Sequence, residues 1–196
     1  MKRLGIYSGT FDPVHAGHIA FAVAAMRVCG LDEVVFIPEQ RPRGKQQITD
    51  IAHRVALLER AIADTPGLHV ATLQSERFTV AQTLPEIQAL ANGAELTLLL
   101  GSDVVRTFTH QWESLRTLLS SVSLAIGMRV HDDPGEIANI IHDIEQSEEL
   151  TVHYTCITTP HAHIASSQFR QGSGVQIDMH PAIRSYVLEH NLYQGN

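Results

Sequence analysis

Leu4-Gly5-Ile6-Tyr7-Ser8-Gly9-Thr10-Phe11-Asp12-Pro13-Val14-His15-Ala16-Gly17-His18 decides how this chain folds. Its first four residues form an apolar run of strand type, broken at Ser8 by small turn-forming residues and a proline. The spacing then predicts a helix over 15–28. Ile19, Phe21, Val23, Met26 and Val28, with alanines between, surround its axis and predict burial on most sides. Residues 33–37 read as a second strand, stopped by Pro38. Strand, helix and strand at this spacing make a βαβ unit with parallel strands and a right-handed crossover.

The alternation continues outward from this unit. Asp50 is a good N-cap for a helix carrying Ile51, Val55, Leu58 and Ile62. Strands are predicted near 68–71, 96–100, 123–126 and 150–154, with helices near 79–91, 112–119 and 135–146. Two C-terminal helices follow, around 167–171 and 181–190. Uninterrupted apolar strands alternating with helices predict an α/β fold with a doubly wound parallel sheet. The 196 residues suffice for one buried core, and we expect a single domain over 1–196.

Composition narrows the function. Hydrophobic residues make up 44% and charged residues 18%, which excludes disordered and collagen-like classes. No segment reaches the roughly 18 apolar residues of a membrane span, so no membrane partner is expected. A net charge of −7 argues against a nucleic-acid surface. Seven acids and no Lys or Arg fall in 131–149, which reads as a solvated helix face, while Arg41, Arg43, Lys45 and Arg54 cluster in and after a loop that small anions could reach. Cys29 and Cys156 match no metal spacing and give no disulfide framework, so a reducing, cytoplasmic location is expected.

The opening stretch also carries chemistry. In an open parallel sheet the ligand crevice lies at the carboxyl ends of the strands, where the 9–18 loop must be. A helix N-terminus there offers N–H groups and partial positive charge to a phosphate. His15 and His18, three apart, project toward the same anion, and Gly9 and Gly17 remove side chains where backbone and ligand approach. The loop is neither a Walker A loop nor G-x-G-x-x-G. Near the other end, Ser166-Ser167-x-x-Arg170 sets two hydroxyls at a helix start and an Arg on the same side, a second phosphate-binding pattern. Asp103, after the 96–100 strand, can accept from ribose hydroxyls or act as an N-cap. His161 and His163 could pair on a metal, but no third ligand is evident.

Gly9-Thr10-Phe11-Asp12-Pro13-x-His15-x-Gly17-His18 resembles the nucleotide-binding signature of the HxGH nucleotidyltransferases, and Ile164 to Arg170 resembles the same family's Ser/Thr-rich phosphate-binding helix start. Thr79-Val80-Ala81-Gln82-Thr83-Leu84, Gly101-Ser102-Asp103 through Phe108 and Trp112 to Leu119, and the tail from Tyr186 to Tyr193 are similar to the nicotinate mononucleotide adenylyltransferase branch. The resemblance implies a Rossmann-like nucleotidyltransferase fold and adenylyl transfer from ATP, with Mg²⁺, to nicotinate mononucleotide. It assigns His18, His15, Lys45 and Arg170 to catalysis and phosphate binding. It assigns Gly9, Thr10, Phe11, Gly17, Gly101, Asp103, Ser166 and Ser167 to ATP, and Thr79 and Trp112 to the nicotinate. Trp112, the only tryptophan, would stack on the pyridine ring or fill the core.

One stretch departs from the family. Its loop after the second strand usually carries Pro-Pro-His-Lys, whereas this chain reads Pro38-Glu39-Gln40-Arg41-Pro42-Arg43-Gly44-Lys45, with Gly44 in place of the His. The change leaves two other acceptors open, nicotinamide mononucleotide and phosphopantetheine. A nucleotide-binding regulator without turnover is the alternative from another class, and assembly into a homo-oligomer is also open.

Overall fold

The computed structural model describes residues 1–44, 47–110, 112–162, 166 and 181–193. Six parallel strands, β1 (Arg3–Gly9), β2 (Glu33–Pro38), β3 (Leu68–Val70), β4 (Glu95–Gly101), β5 (Ser123–Met128) and β6 (Tyr154–Thr158), form one sheet in the order β3-β2-β1-β4-β5-β6. The order reverses between β1 and β4, and a crevice must open at their carboxyl ends. This is the doubly wound α/β sheet that the alternation predicts.

Period-2 alternation sends the strands' side chains to two cores. Leu4, Ile6, Val35, Ile37, Leu98, Leu100, Leu124 and Ile126 face one side, under α3 (Val80–Ala91), α4 (Ser102–Thr107), α5 (Leu115–Leu119) and α6 (Pro134–Glu148). Val34, Phe36, Leu99, Ala125 and Ile157 face the other, under α1 (Ala16–Cys29), α2 (Ile51–Ile62) and α7 (Pro181–Glu189). Cys29 packs in the second core and Cys156 against the first, so the sheet separates the two thiols.

Three expectations are corrected, and one helix is added to them. Helix α1 buries one stripe, Phe21, Ala22 and Ala25, and leaves Val23 and Val28 exposed, because it covers the sheet as an outer layer. The last strand is 154–158, not 150–154. Glu149 ends α6 in the left-handed region, and Val152 turns the chain, its N–H donating to the Glu145 carboxylate at 2.8 Å. The helix expected from Trp112 starts at Leu115, after Ser114 at φ 62°. Helix α4, unmarked by periodicity, follows β4 directly. The acidic stretch behaves as expected along α6, which buries Ile137, Ile141 and Ile144, but Asp132 and Glu136 at its start pair with Arg106, as described below. The helix expected at 167–171 lies outside the described residues.

Candidate active site

His15 is the N-cap of α1, with extended backbone at φ −142° and ψ 170°. Its N–H donates to Nδ1 of His18 at 3.2 Å, the His18 N–H donates to the His15 carbonyl at 3.0 Å, and the two rings stack at 3.6 Å between centroids. With Nδ1 of His18 accepting, the hydrogen-bond network assigns the proton of the neutral ring to Nε2, which becomes a donor. Burial, assisted by the Arg129 cation and by His161, pushes the His15 pKa down to about 3. His15 is therefore neutral, and the stack avoids a pair of imidazolium charges.

The loop before the helix is shaped around these rings. Phe11, 2% exposed and at φ 49°, packs edge-on against Tyr7 and His18, at 5.2 and 5.1 Å. A Cβ on Gly9 would come within 3.1 Å of the Phe11 ring. One on Gly17 would lie 3.0 Å from the His15 ring and 3.1 Å from the His161 carbonyl, so glycine here admits that segment's backbone. Burial raises the Tyr7 phenol above its ordinary range, against the pull of Arg129 and with the help of Asp103.

Across the strand-order reversal, Gly101 is the N-cap of α4 and Asp103 stands in its first turn, so Asp103 is not itself the N-cap. Its Oδ1 occupies the place where a Cβ on Gly101 would sit, 2.2 Å away. The Ser102 hydroxyl, fully buried, and the Arg129 N–H both donate to Oδ2 of Asp132, and Arg106 donates to Oδ1 at 2.8 Å. Arg106 also grips Glu136 at 2.9 and 2.8 Å. These bonds lock the ends of β4 and β5 together. Arg129 and Tyr7 are site residues that sequence reasoning missed. The signal was available, since Arg129 follows a predicted strand at the same carboxyl edge as the histidines.

Ser166, from the distant serine motif, comes to this loop, its hydroxyl donating to the Pro13 carbonyl at 3.0 Å. Lys45, Ser167 and Arg170 lie outside the described residues. Two other members of the basic cluster already have partners in the fold. Arg41 pairs with Glu76 at 3.1 Å. Arg54, fully buried, donates to the carbonyls of Thr49, Thr10 and Glu39, each at 2.8 Å, and of Gln40 at 3.3 Å. A guanidinium with its fork spent on backbone carbonyls holds loops together.

The two residues assigned to the nicotinate fall on neighbouring loops. Phe78, next to Thr79, lies 6.4 Å from the Trp112 ring, and Trp112 packs edge-on against Phe108 at 4.9 Å. The indole N–H donates to the Thr107 hydroxyl at 3.1 Å. The Thr79 hydroxyl accepts from Gln82 N at 3.4 Å as the N-cap of α3, so its side chain is committed to the helix start.

Tyr7, His15, His18, Gly101, Arg129 and His161 line a cleft of about 60 Å³, room for a phosphoryl group rather than a nucleotide. A larger concavity of about 930 Å³, lined by Arg3, Glu95, Ser121 and His153, opens at the amino ends of the strands, away from where such sheets bind ligands. Among the described residues no three His, Cys, Asp or Glu converge to cage a metal ion. No helix among them is long and apolar enough to cross a membrane.

A doubly wound sheet with a helix start and two stacked imidazoles at its reversal point defines a phosphate-handling α/β protein. A model of the cytidylyltransferase-like family matches residues 6–172, and the chain belongs to that family. A Herpetosiphon aurantiacus protein named "Probable nicotinate-nucleotide adenylyltransferase" is 33% identical over 201 residues, covering 98% of this chain and 99% of its own. A Bordetella pertussis protein of the same name is 32% identical, covering 99% of each. The fold superposes on "Plasmodium falciparum nicotinic acid mononucleotide adenylyltransferase complexed with NaAD" with a TM-score of 0.76 at 20% identity, covering 100% of this chain and 99% of that one.

Proposed function

We propose that the chain is an enzyme of NAD biosynthesis that transfers the adenylyl group of ATP to nicotinate mononucleotide, giving deamido-NAD and pyrophosphate. The observation that carries this reading is the stacked His15–His18 pair at the first turn of α1, with His15 held neutral, in a chain similar over its full length to proteins named for that reaction.

The 5′-phosphate oxygen of the mononucleotide attacks the α-phosphorus of ATP in line, and the bond to the pyrophosphate oxygen breaks. No protein nucleophile is needed, so catalysis rests on positioning and charge stabilisation. His18 donates from Nε2 to the charge developing at the α-phosphate. His15, neutral beneath it, holds the ring and closes the helix start. Gly9, Thr10, Phe11 and Gly17 shape the loop that receives the triphosphate, and Lys45, Arg129, Arg170, Ser166 and Ser167 bind the phosphate chain. Gly101 and Asp103 take the adenosine ribose. Mg²⁺ bound with the nucleotide would neutralise charge on the departing pyrophosphate.

On the acceptor side, Trp112 stacks on the pyridine ring and the N–H groups at the start of α3, after Thr79, meet the carboxylate. An amide would leave those donors poorly matched. We therefore expect nicotinate mononucleotide to be preferred over nicotinamide mononucleotide by at least about tenfold in kcat/KM, roughly 1.4 kcal/mol. A pyrophosphate-release assay with ATP and each mononucleotide, and with phosphopantetheine, tests this. Equal rates for the two mononucleotides would overturn the acceptor assignment. No release with any acceptor would make the chain a nucleotide-binding regulator.

A further inference from the structure

Asp12 lies in the β1–α1 loop three residues before His15, and it is 1% exposed. A carboxylate so buried is costly unless hydrogen-bonded. Its Oδ1 accepts from the Tyr193 hydroxyl at 2.8 Å and its Oδ2 from Thr49 N at 3.3 Å. Both donors come from far along the chain. Thr49 ends the loop that carries Arg41, Arg43 and Lys45, and Arg54 ties that loop's carbonyls to the carbonyl of Thr10. Tyr193 follows α7, which is clamped to α2 by the His53 Nδ1 to Tyr186 hydroxyl contact at 2.9 Å and by Arg60 over the Tyr186 ring at 4.2 Å. The phenol of Tyr193 is held protonated, burial and then the Asp12 carboxylate both raising its pKa. It is a fixed donor aimed at the loop.

We propose that Tyr193 is a positioning residue for the nucleotidyl transfer: its hydroxyl orients Asp12, and through Asp12 the loop that presents His15 and His18. The proposal rests on reading that loop as the nucleotide site. Neither Tyr193 nor Asp12 touches substrate in this scheme. These bonds tie the histidine loop to Thr49 and to the segment after α7, so that the loop presenting His15 and His18 is aligned before ATP arrives.

The test is Tyr193→Phe, which removes one oxygen and keeps the ring. Pyrophosphate release should show kcat lowered about tenfold, with KM for the acceptor within about twofold, because the Thr79 and Trp112 loops are held by other bonds. Imidazole ¹H–¹⁵N spectra should show the His15 and His18 ring signals shifted and those of His69 and His142, remote from the loop, unmoved. Asp12→Asn should give the same pattern, and the double variant should lose no more than Asp12→Asn alone. If Tyr193→Phe does not fold, Asp12→Asn carries both readouts. Unchanged kcat with unmoved His15 and His18 signals would overturn the proposal. So would losses that multiply in the double variant, or shifts spread over all the histidines. The spectra need no substrate, so they judge the positioning role even if the wild-type chain releases no pyrophosphate and the functional reading fails.

Discussion

The His15 N–H donates to Nδ1 of His18 while the two rings stack at 3.6 Å. One bond thus fixes the ring of His18, its tautomer and the direction of its Nε2 proton. A hydrogen bond that strengthens as charge moves in the transition state contributes to kcat more than to binding. We expect His18→Ala to lower kcat about 10²-fold with a smaller change in KM for ATP. His18→Gln, whose amide NH₂ reaches the Nε2 position, should restore part of that loss, and His18→Asn should not. Steady-state kinetics of the three variants check the tautomer as well as the role.

His15 gives a stability signature. Its pKa is about 3 in the folded chain against an ordinary 6.5, so between those values the unfolded chain holds a proton that the folded chain does not. Stability is complete above pH 6.5 and is lost as pH falls toward 3, by about 1.4 kcal/mol for each pH unit. Urea unfolding at pH 7.5 and pH 5 should show this slope, and His15→Asn should flatten it. No loss of activity between pH 6 and 8 should trace to His15.

Gly17→Ala places a methyl 3.0 Å from the His15 ring and 3.1 Å from the His161 carbonyl. The ring can tilt, but a backbone carbonyl yields less easily. We expect activity to fall at least tenfold while the circular dichroism spectrum is kept, with the His15 and His18 signals displaced.

Asp132 accepts from Ser102, from the Arg129 backbone and from Arg106. Burial acts to raise its pKa, but these donors outweigh it and hold the carboxyl below the usual range. Asparagine has one acceptor oxygen and turns an NH₂ toward a donor. Asp132→Asn should raise KM for ATP about tenfold, by freeing Arg129 and the first turn of α4, and leave KM for the acceptor nearly unchanged.

What could be read in advance follows a physical division. Phe36, Leu99 and Ile126 lie in strands whose apolar runs and regular spacing reveal the sheet before any contact is known. The 9–18 motif is legible for the same reason, because its small residues, helix start and paired histidines are local. Arg54 is illegible. Nothing near it in sequence distinguishes a cation that meets an anion from one sunk among carbonyls 5, 14, 15 and 44 residues away. Leu150 and Val152 mislead because alternation also suits a chain that turns back over a helix end. Tyr193 acquires meaning only through the tertiary fold, which brings it to Asp12, 181 residues away.

The strand order has a consequence during synthesis. β1 leaves the ribosome first and soon gains β2 on one edge, but its other edge waits for β4, whose first residue is Glu95. Until then the apolar Leu4-Gly5-Ile6-Tyr7 strand has one unpaired backbone edge, the kind of surface on which nascent chains associate. The crevice is made by that same late pairing. The crevice edge is thus a seam that stays open until about ninety residues after β1 have been made, and a chaperone that shields residues 3–101 through that interval would protect both the strand and the crevice.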